Sequence, residues 1–128
     1  MKNYGNNFEE FFAENSIFDD ETKKALFLEG VLAQKLLNIQ YQERNATPFR
    51  SRLNGLKIDE KTAKRLLPEI INKLEEYDKN YYRKLEETLG EYLVKSNFSH
   101  YSVDELSFYF TLGMVLEKHF RQEKEITK

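Results

Sequence analysis

The sequence predicts an all-α fold, a single-domain helical bundle of five helices over residues 1–128. Apolar residues recur at three- and four-residue spacings along most of the chain, and no strand-like alternation runs for more than a few residues. Only two Pro and five Gly interrupt the 128 residues. Ten Phe and eight Tyr provide enough apolar surface for a core, and the length fits one domain.

The first predicted helix covers residues 7–14. Phe8, Phe11 and Phe12 lie on one face of this helix because their spacing matches one helical turn. Asn6 or Asn7 can cap its free backbone N–H groups. We expect its apolar face to pack against the central helices.

The second predicted helix, near residues 20–44, is expected to be central. It can begin at Asp19 or Asp20, since a carboxylate caps a helix N-terminus. Between residues 25 and 39 apolar side chains cover nearly every face, which is typical of a buried helix. Gly30 lies in this stretch at a cost of about 1 kcal/mol relative to Ala, which indicates that another helix approaches closely.

The middle of the chain is predicted to be a connection followed by two amphipathic helices. Residues 45–58 contain Pro48 and Gly55, which favour a turn or a helix end. Asp59 can cap a third helix, and Pro68 either kinks this helix or begins a sixth one. The fourth predicted helix covers about residues 80–96 and carries Tyr and Leu on one side.

The fifth predicted helix, near residues 102–124, has the clearest start. Ser102 and Glu105 have the spacing of a capping box. Residues 106–116 are nearly all apolar, which predicts a second central helix, and Gly113 lies among them. We therefore expect helices two and five to cross near Gly30 and Gly113, with the other three packed around them.

Composition and spacing exclude most enzyme chemistry. The chain has no Cys, which rules out disulfides, thiolate zinc sites, iron–sulfur clusters and a cysteine nucleophile. His100 and His119 lie in no metal-ligand spacing, and surface histidines that cap a carbonyl account for them. No phosphate-binding loop, dinucleotide fingerprint or nucleophile elbow is present. We expect no enzymatic activity, no metal and no cofactor.

The expected location is the cytoplasm, with no membrane partner. No apolar run reaches the roughly 18 residues that a membrane helix needs. Glu9 and Glu10 occupy the stretch that would be apolar in a signal peptide.

The basic middle of the chain is the main functional candidate. The net charge of −2 divides into −4 over residues 1–30, +5 over residues 31–65 and −3 over residues 66–128. The candidate nucleic-acid-binding residues, which we call the basic cluster, are Arg50, Arg52, Lys57, Lys61, Lys64 and Arg65. Such a cluster suits contacts to phosphates, which need little besides charge. The alternative is a solvated face of mixed charge.

Three tyrosines are a second candidate. Tyr77, Tyr81 and Tyr82 could form a platform on which bases stack. Their helical spacing favours ordinary packing at the edge of the core.

Three segments resemble a known family. They are ALFLEGVL at residues 25–32 with Gln40 closing the helix, TPFRSRLNGL at residues 47–56, and SFYFTLGMVL at residues 107–116. Their order and spacing are similar to the C-terminal region of the large subunit of type I-B CRISPR effector complexes, the Csh-type Cascade proteins. In that family this region is also made alone, from an internal start, as the small subunit. A chain that begins with its own Met and spans this region resembles that product, over about residues 17–120.

The resemblance implies a non-catalytic small subunit. Such subunits are helical bundles that stack as several copies along the belly of the complex and brace its backbone subunits. The implied partners are the large and backbone subunits, further copies of the chain, the CRISPR RNA–target DNA heteroduplex and the displaced single-stranded DNA. Cutting of the target belongs to a separately recruited helicase-nuclease. The resemblance assigns no individual residue, so the basic cluster is chosen from charge alone.

Two other functions stay open at this point. A helical protein–protein adaptor without nucleic-acid binding would use the acidic ends and the amphipathic faces. A small enzyme is the third hypothesis, and no reactive constellation in the sequence supports it.

Overall fold

The computed structural model describes residues 2–42, 53, 55–77 and 82–122, and these contain five α-helices and no β-strand. The helices are α1 (Phe8–Glu14), α2 (Glu21–Gln42), α3 (Glu60–Tyr77), α4 (Arg83–Val94) and α5 (Val103–Leu116). Two 3-10 turns follow α4 and α5, at Phe98–His100 and Glu117–His119. The predicted all-α bundle is confirmed. None of the described helices combines the length and the apolarity needed to cross a lipid bilayer.

Four of the five predicted helix starts, those of α1, α2, α3 and α5, are confirmed by side-chain caps. The side chain of Asn7 accepts a backbone N–H of α1 at 3.2 Å, Asp20 accepts one of α2 at 2.8 Å, and Asp59 accepts one of α3 at 2.7 Å. At the start of α5, Ser102 Oγ accepts the N–H of Glu105 at 3.1 Å, and Glu105 Oε1 accepts the N–H of Ser102 at 3.0 Å. Each bond satisfies a donor that has no partner within its helix.

α2 and α5 cross at the two glycines, as predicted. A Cβ atom on Gly30 would lie 1.9 Å from the carbonyl oxygen of Phe110, and a Cβ atom on Gly113 would lie 2.0 Å from the carbonyl oxygen of Phe27. The contact is reciprocal, because each helix presents the carbonyl of a Phe, three residues before its glycine, to the glycine of the other. Glycine is the residue that allows the two backbones to come this close.

A cluster of phenylalanines fixes α1 and the C-terminal turn to this crossing. The ring centroid of Phe11 lies 5.1 Å from that of Phe27 and 5.0 Å from that of Phe120. The N-terminal segment also pairs with the chain after α5, since the N–H of Tyr4 donates to the carbonyl of His119 at 2.7 Å. The two ends of the described chain are therefore held together over the core.

α3 runs without a break through Pro68, so no sixth helix begins at this proline. Ala63, Leu66, Ile70 and Leu74 are buried and form its inner face, as the apolar stripe predicted. Pro68 is exposed, so its ring lies on the outer face of α3, away from the buried side chains.

α5 is shorter than predicted and is central on one side. Its buried residues are Leu106, Phe110 and Gly113. On the opposite side Phe108 is 54% exposed and Val115 is 60% exposed. The helix ends at Leu116 rather than near residue 124, and residues 123–128 lie outside the described residues.

A buried polar network ties the turn after α5 to α2. The Glu117 carboxylate lies 3.2 Å from Lys35 Nζ on α2 and 2.9 Å from Arg121 Nη2, and it accepts a hydrogen bond from Asn38 at 3.0 Å. Lys35 Nζ also donates to the carbonyl oxygen of Phe120 at 2.6 Å. Lys35 is 2% exposed and Glu117 is 1% exposed. The buried Lys35 ammonium thus has a carbonyl and a carboxylate as partners, as a buried charge requires.

Candidate nucleic-acid interface

The described part of the basic cluster begins in the segment that leads into α3. Ile58 is buried, and its N–H donates to Ser107 Oγ on α5 at 2.8 Å, which holds this segment against α5. Asp59 then caps α3. The N–H of Thr62 donates to the Asp59 carboxylate and holds its pKa below the usual range, and the charge of Lys61 adds to this effect. These contacts set the direction in which α3 leaves α5.

The amphipathic pattern of α3 turns its cations outward. Ala63 and Leu66 are buried, whereas Lys61, Lys64 and Arg65 are exposed. Lys61 and Arg65 are four residues apart and therefore lie one turn apart on the same side of the helix. The predicted cations of α3 are thus brought together over its first two turns, directly after Lys57.

Two of the four described cations are paired with carboxylates. Lys57 Nζ lies 3.4 Å from Asp104 Oδ1 on α5, and Lys64 Nζ lies 2.6 Å from Glu60 Oε2. The four side chains in these two pairs are all more than half exposed. Exposed ion pairs contribute about 0–1 kcal/mol, so a phosphate can replace the carboxylate at little cost.

Among the described members of the cluster, Lys61 and Arg65 carry the least compensated charge. Within the described part of the chain, no carboxylate lies within ion-pair distance of either side chain. Arg50 and Arg52 lie outside the described residues, so their place in the cluster stays a prediction. Exposed cations on a helix can contact phosphates in any sequence, because phosphates carry no base information.

Comparison with protein families decides what kind of protein carries this surface. The whole chain, residues 1–128, matches the family model described as CRISPR-associated protein TM1802 (cas_TM1802) C-terminal domain. The chain belongs to this CRISPR-associated family. Comparison with curated proteins gave no match, and neither did comparison with solved structures. The CRISPR association that the sequence resemblance implied is confirmed.

In this cas_TM1802 domain Tyr82 does not belong to the alternative stacking platform. Tyr82 is 5% exposed and belongs to the core. Tyr77 is 39% exposed, and Tyr81 lies outside the described residues. Because the ring of Tyr82 is buried, it cannot stack on a base, and packing at the core is the better account of this residue.

The histidines of the cas_TM1802 domain lie apart from each other in the fold. His100 is exposed in the turn after α4, and His119 is partly buried after α5. The carbonyl of His119 accepts the N–H of Tyr4. Among the described residues, no group of three or more His, Cys, Asp and Glu side chains is arranged to hold a metal ion.

Two features of the cas_TM1802 domain were not anticipated from its sequence. One is the exposed apolar face of α5. The other is Glu29, which is fully buried on α2 and has no hydrogen-bond partner for either carboxylate oxygen among the described residues. Burial raises the pKa of this carboxyl well above its usual range. The sequence offers one sign of it, since Glu29 is the acidic residue within the apolar stretch 25–39.

Proposed function

We propose that this chain is the non-catalytic small subunit of a type I-B Cascade, a CRISPR RNA-guided surveillance complex of the cytoplasm. In this role it braces the belly of the complex beside the large subunit, the backbone subunits and further copies of itself. The observation that carries the proposal is the match of the whole chain to a CRISPR-associated family. The sequence resemblance to the Csh-type large subunit supports the narrower assignment.

The basic cluster gives this subunit its proposed contact with nucleic acid. Exposed cations on α3 bind the backbone of the guide–target duplex or of the displaced strand while the R-loop forms. The net charge of −2 and the two ion pairs keep the intrinsic affinity low. In the assembled complex, avidity raises the effective affinity of these contacts for nucleic acid.

Reconstitution tests the role of the subunit. The type I-B subunits and guide RNA are assembled with and without this chain, and target DNA is titrated at two salt concentrations. We expect omission to weaken target binding, with a larger loss for the full R-loop than for guide loading. If the chain does not co-purify with the complex and its omission changes nothing, the small-subunit proposal fails.

Charge reversal tests the basic cluster separately. In the assembled complex, Lys61→Glu with Arg65→Glu should weaken DNA binding and lower the slope of log affinity against log salt by about 2, one unit for each lost phosphate contact. The matched control is Lys84→Glu with Lys95→Glu, two exposed lysines on and directly after α4. A second test variant is Arg50→Glu with Arg52→Glu. If DNA binding at low salt is unchanged both in this variant and in Lys61→Glu with Arg65→Glu, the cluster is removed from the proposal.

A protein–protein adaptor without nucleic acid is the second candidate. The exposed side chains Phe108 and Val115 on α5 favour it, because they give the domain an apolar surface. Salt-independent self-association without retention on single-stranded DNA, together with a reconstitution in which omission of the chain changes nothing, would support the adaptor over the proposed small subunit.

A further inference from the structure

The outward side of α5 carries a continuous stripe of exposed residues, which we call the α5 seam. It runs through the helix into the following turn, and its members are Asp104, Phe108, Thr111, Val115 and Lys118. Their spacings alternate between four and three residues, which places them along one face of a helix. Phe108 is 54% exposed and Val115 is 60% exposed, so two large apolar side chains stand in solvent on this face.

The seam has nearly the same pattern when it is read in the opposite direction. An acidic residue, Asp104, lies at one end, and a basic residue, Lys118, lies at the other. Phe108 and Val115 lie inside these charges at similar distances from the centre, and Thr111 occupies the centre. A surface of this kind is complementary to a copy of itself turned end to end.

We propose that α5 pairs with α5 of a second copy of this chain, antiparallel, about a twofold axis near Thr111. Phe108 then lies beside Val115 of the second copy, and Asp104 lies beside Lys118 of the second copy. Both contacts occur twice because the interface is isologous. The pairing also places the N-terminal end of one α5 beside the C-terminal end of the other, which favours the antiparallel orientation of the helix dipoles.

The helix dipole alone does not account for the seam. It favours an acidic residue near the start of a helix and a basic residue near its end, and so explains the signs of Asp104 and Lys118. It gives no reason for the exposure of Phe108 and Val115 between them. A second copy accounts for the charges and for the apolar side chains together.

The pair is expected to be weak. One helix from each copy makes an interface below about 1,200 Å² in total, in the range of transient contacts. A dissociation constant of roughly 10–100 µM is reasonable for such an interface. The inference does not rest on the proposed function, because it concerns the isolated chain.

Sedimentation velocity on the full chain from about 1 to 500 µM tests the pairing, a range chosen to bracket the expected dissociation constant. We expect a monomer–dimer equilibrium that Phe108→Ser weakens at least about tenfold, since a large apolar side chain is lost twice per dimer. The matched control is Val94→Ser on α4, which removes a side chain that is 87% exposed and lies off the seam. Far-ultraviolet circular dichroism checks that each variant stays folded.

Charge exchange tests the twofold geometry. Asp104→Lys should abolish the dimer because it faces Lys118 of the second copy, and the double variant Asp104→Lys with Lys118→Asp should restore it. Because the chain has no Cys, Thr111→Cys provides a single thiol at the axis, and a short bis-maleimide should link it into dimers. Ser99→Cys, an exposed position away from the seam, should remain monomeric.

Three results would overturn the pairing. One is a chain that stays monomeric over the whole concentration range. A second is a dimer whose dissociation constant does not change in the Asp104→Lys variant. The third is a double variant that fails to recover while it remains folded.

Discussion

Replacing Gly30 by Ala tests the crossing of α2 and α5 at its closest point. The new Cβ atom would lie 1.9 Å from the carbonyl oxygen of Phe110, 2.9 Å from its carbonyl carbon and 3.1 Å from the backbone nitrogen of Met114. All three are backbone atoms of α5, so no side chain can rotate away. The two helices must separate by roughly 1 Å or more before the methyl group reaches an ordinary contact distance.

The expected loss of stability follows from this displacement. Overpacking a core costs about 1–3 kcal/mol and more where the backbone must move, because the displaced helix loses contacts along its length. The substitution also gains about 1 kcal/mol, since Ala is a better helix former than Gly. Because two backbones must move apart, the cost lies at the upper end, about 3 kcal/mol or more. We therefore expect a net destabilisation of at least about 2 kcal/mol, which lowers the melting temperature of a domain of this size by about 8 °C or more.

Gly90 on α4 provides a matched control. Among the described residues, no atom beyond the adjoining backbone of α4 lies within 4 Å of a Cβ built at this position. Gly90→Ala should therefore show the helix-propensity gain alone, about 0.5–1 kcal/mol. Urea unfolding and thermal melts followed by circular dichroism measure both variants. Equal stability of the Gly30→Ala and Gly90→Ala proteins would refute the close crossing.

Three further predictions concern the polar groups of the fold. Because the pKa of Glu29 is raised, its folded carboxyl keeps a proton above the ordinary value of 4.5, so its contribution to stability is present below pH 4.5 and is lost as the pH rises. Between pH 4.5 and the raised pKa of Glu29, the free energy of unfolding of the wild type should fall by up to about 1.4 kcal/mol per pH unit relative to that of Glu29→Gln. Urea unfolding over this pH range measures the difference, and parallel stability profiles of the two proteins would contradict it. Lys35→Met should destabilise by about 3 kcal/mol, and adding Glu117→Leu should recover part of the loss; a double variant no more stable than the single would show that the pair is not coupled. Ser102→Ala should lower the free energy of unfolding by about 1 kcal/mol through loss of the capping box, measured by urea titration, and no change would show that the cap is not needed.

The parts of the fold that local patterns determine were predicted from the sequence. The caps at Asp59 and Ser102 depend on residues within one helical turn, so a few neighbouring letters are enough to find them. The crossing at Gly30 and Gly113 followed from two apolar helices that each tolerate a glycine in the middle. A glycine in the middle of a helix is destabilising, so its presence indicates that another helix approaches closely at that point. In a small bundle, two apolar helices of this kind are expected to be neighbours.

Apart from that crossing, the contacts between distant residues were not predicted. Lys35 and Glu117 are 82 residues apart, and nothing near either residue indicates that they meet in the core. The apolar composition of α5 indicated burial but could not say that one face would remain exposed, since Phe108 has the same pattern whether the chain or a partner covers it. For the basic cluster, the sequence supplied the cations but not Asp104, which reaches Lys57 from another helix.

α2 and α5 pack against each other but lie far apart along the chain, and this separation has a consequence during synthesis. In the folded protein the middle of α2 is covered on every side, and much of that cover comes from α5. A ribosome that adds about 5–20 residues per second needs roughly 4–16 s to make the stretch that separates Lys35 from Glu117. For that interval the nascent chain presents an apolar helix without its main partner. Aggregation and chaperone capture are therefore most probable in this window, and slow codons between α2 and α5 should reduce the yield of folded protein more than slow codons after α5.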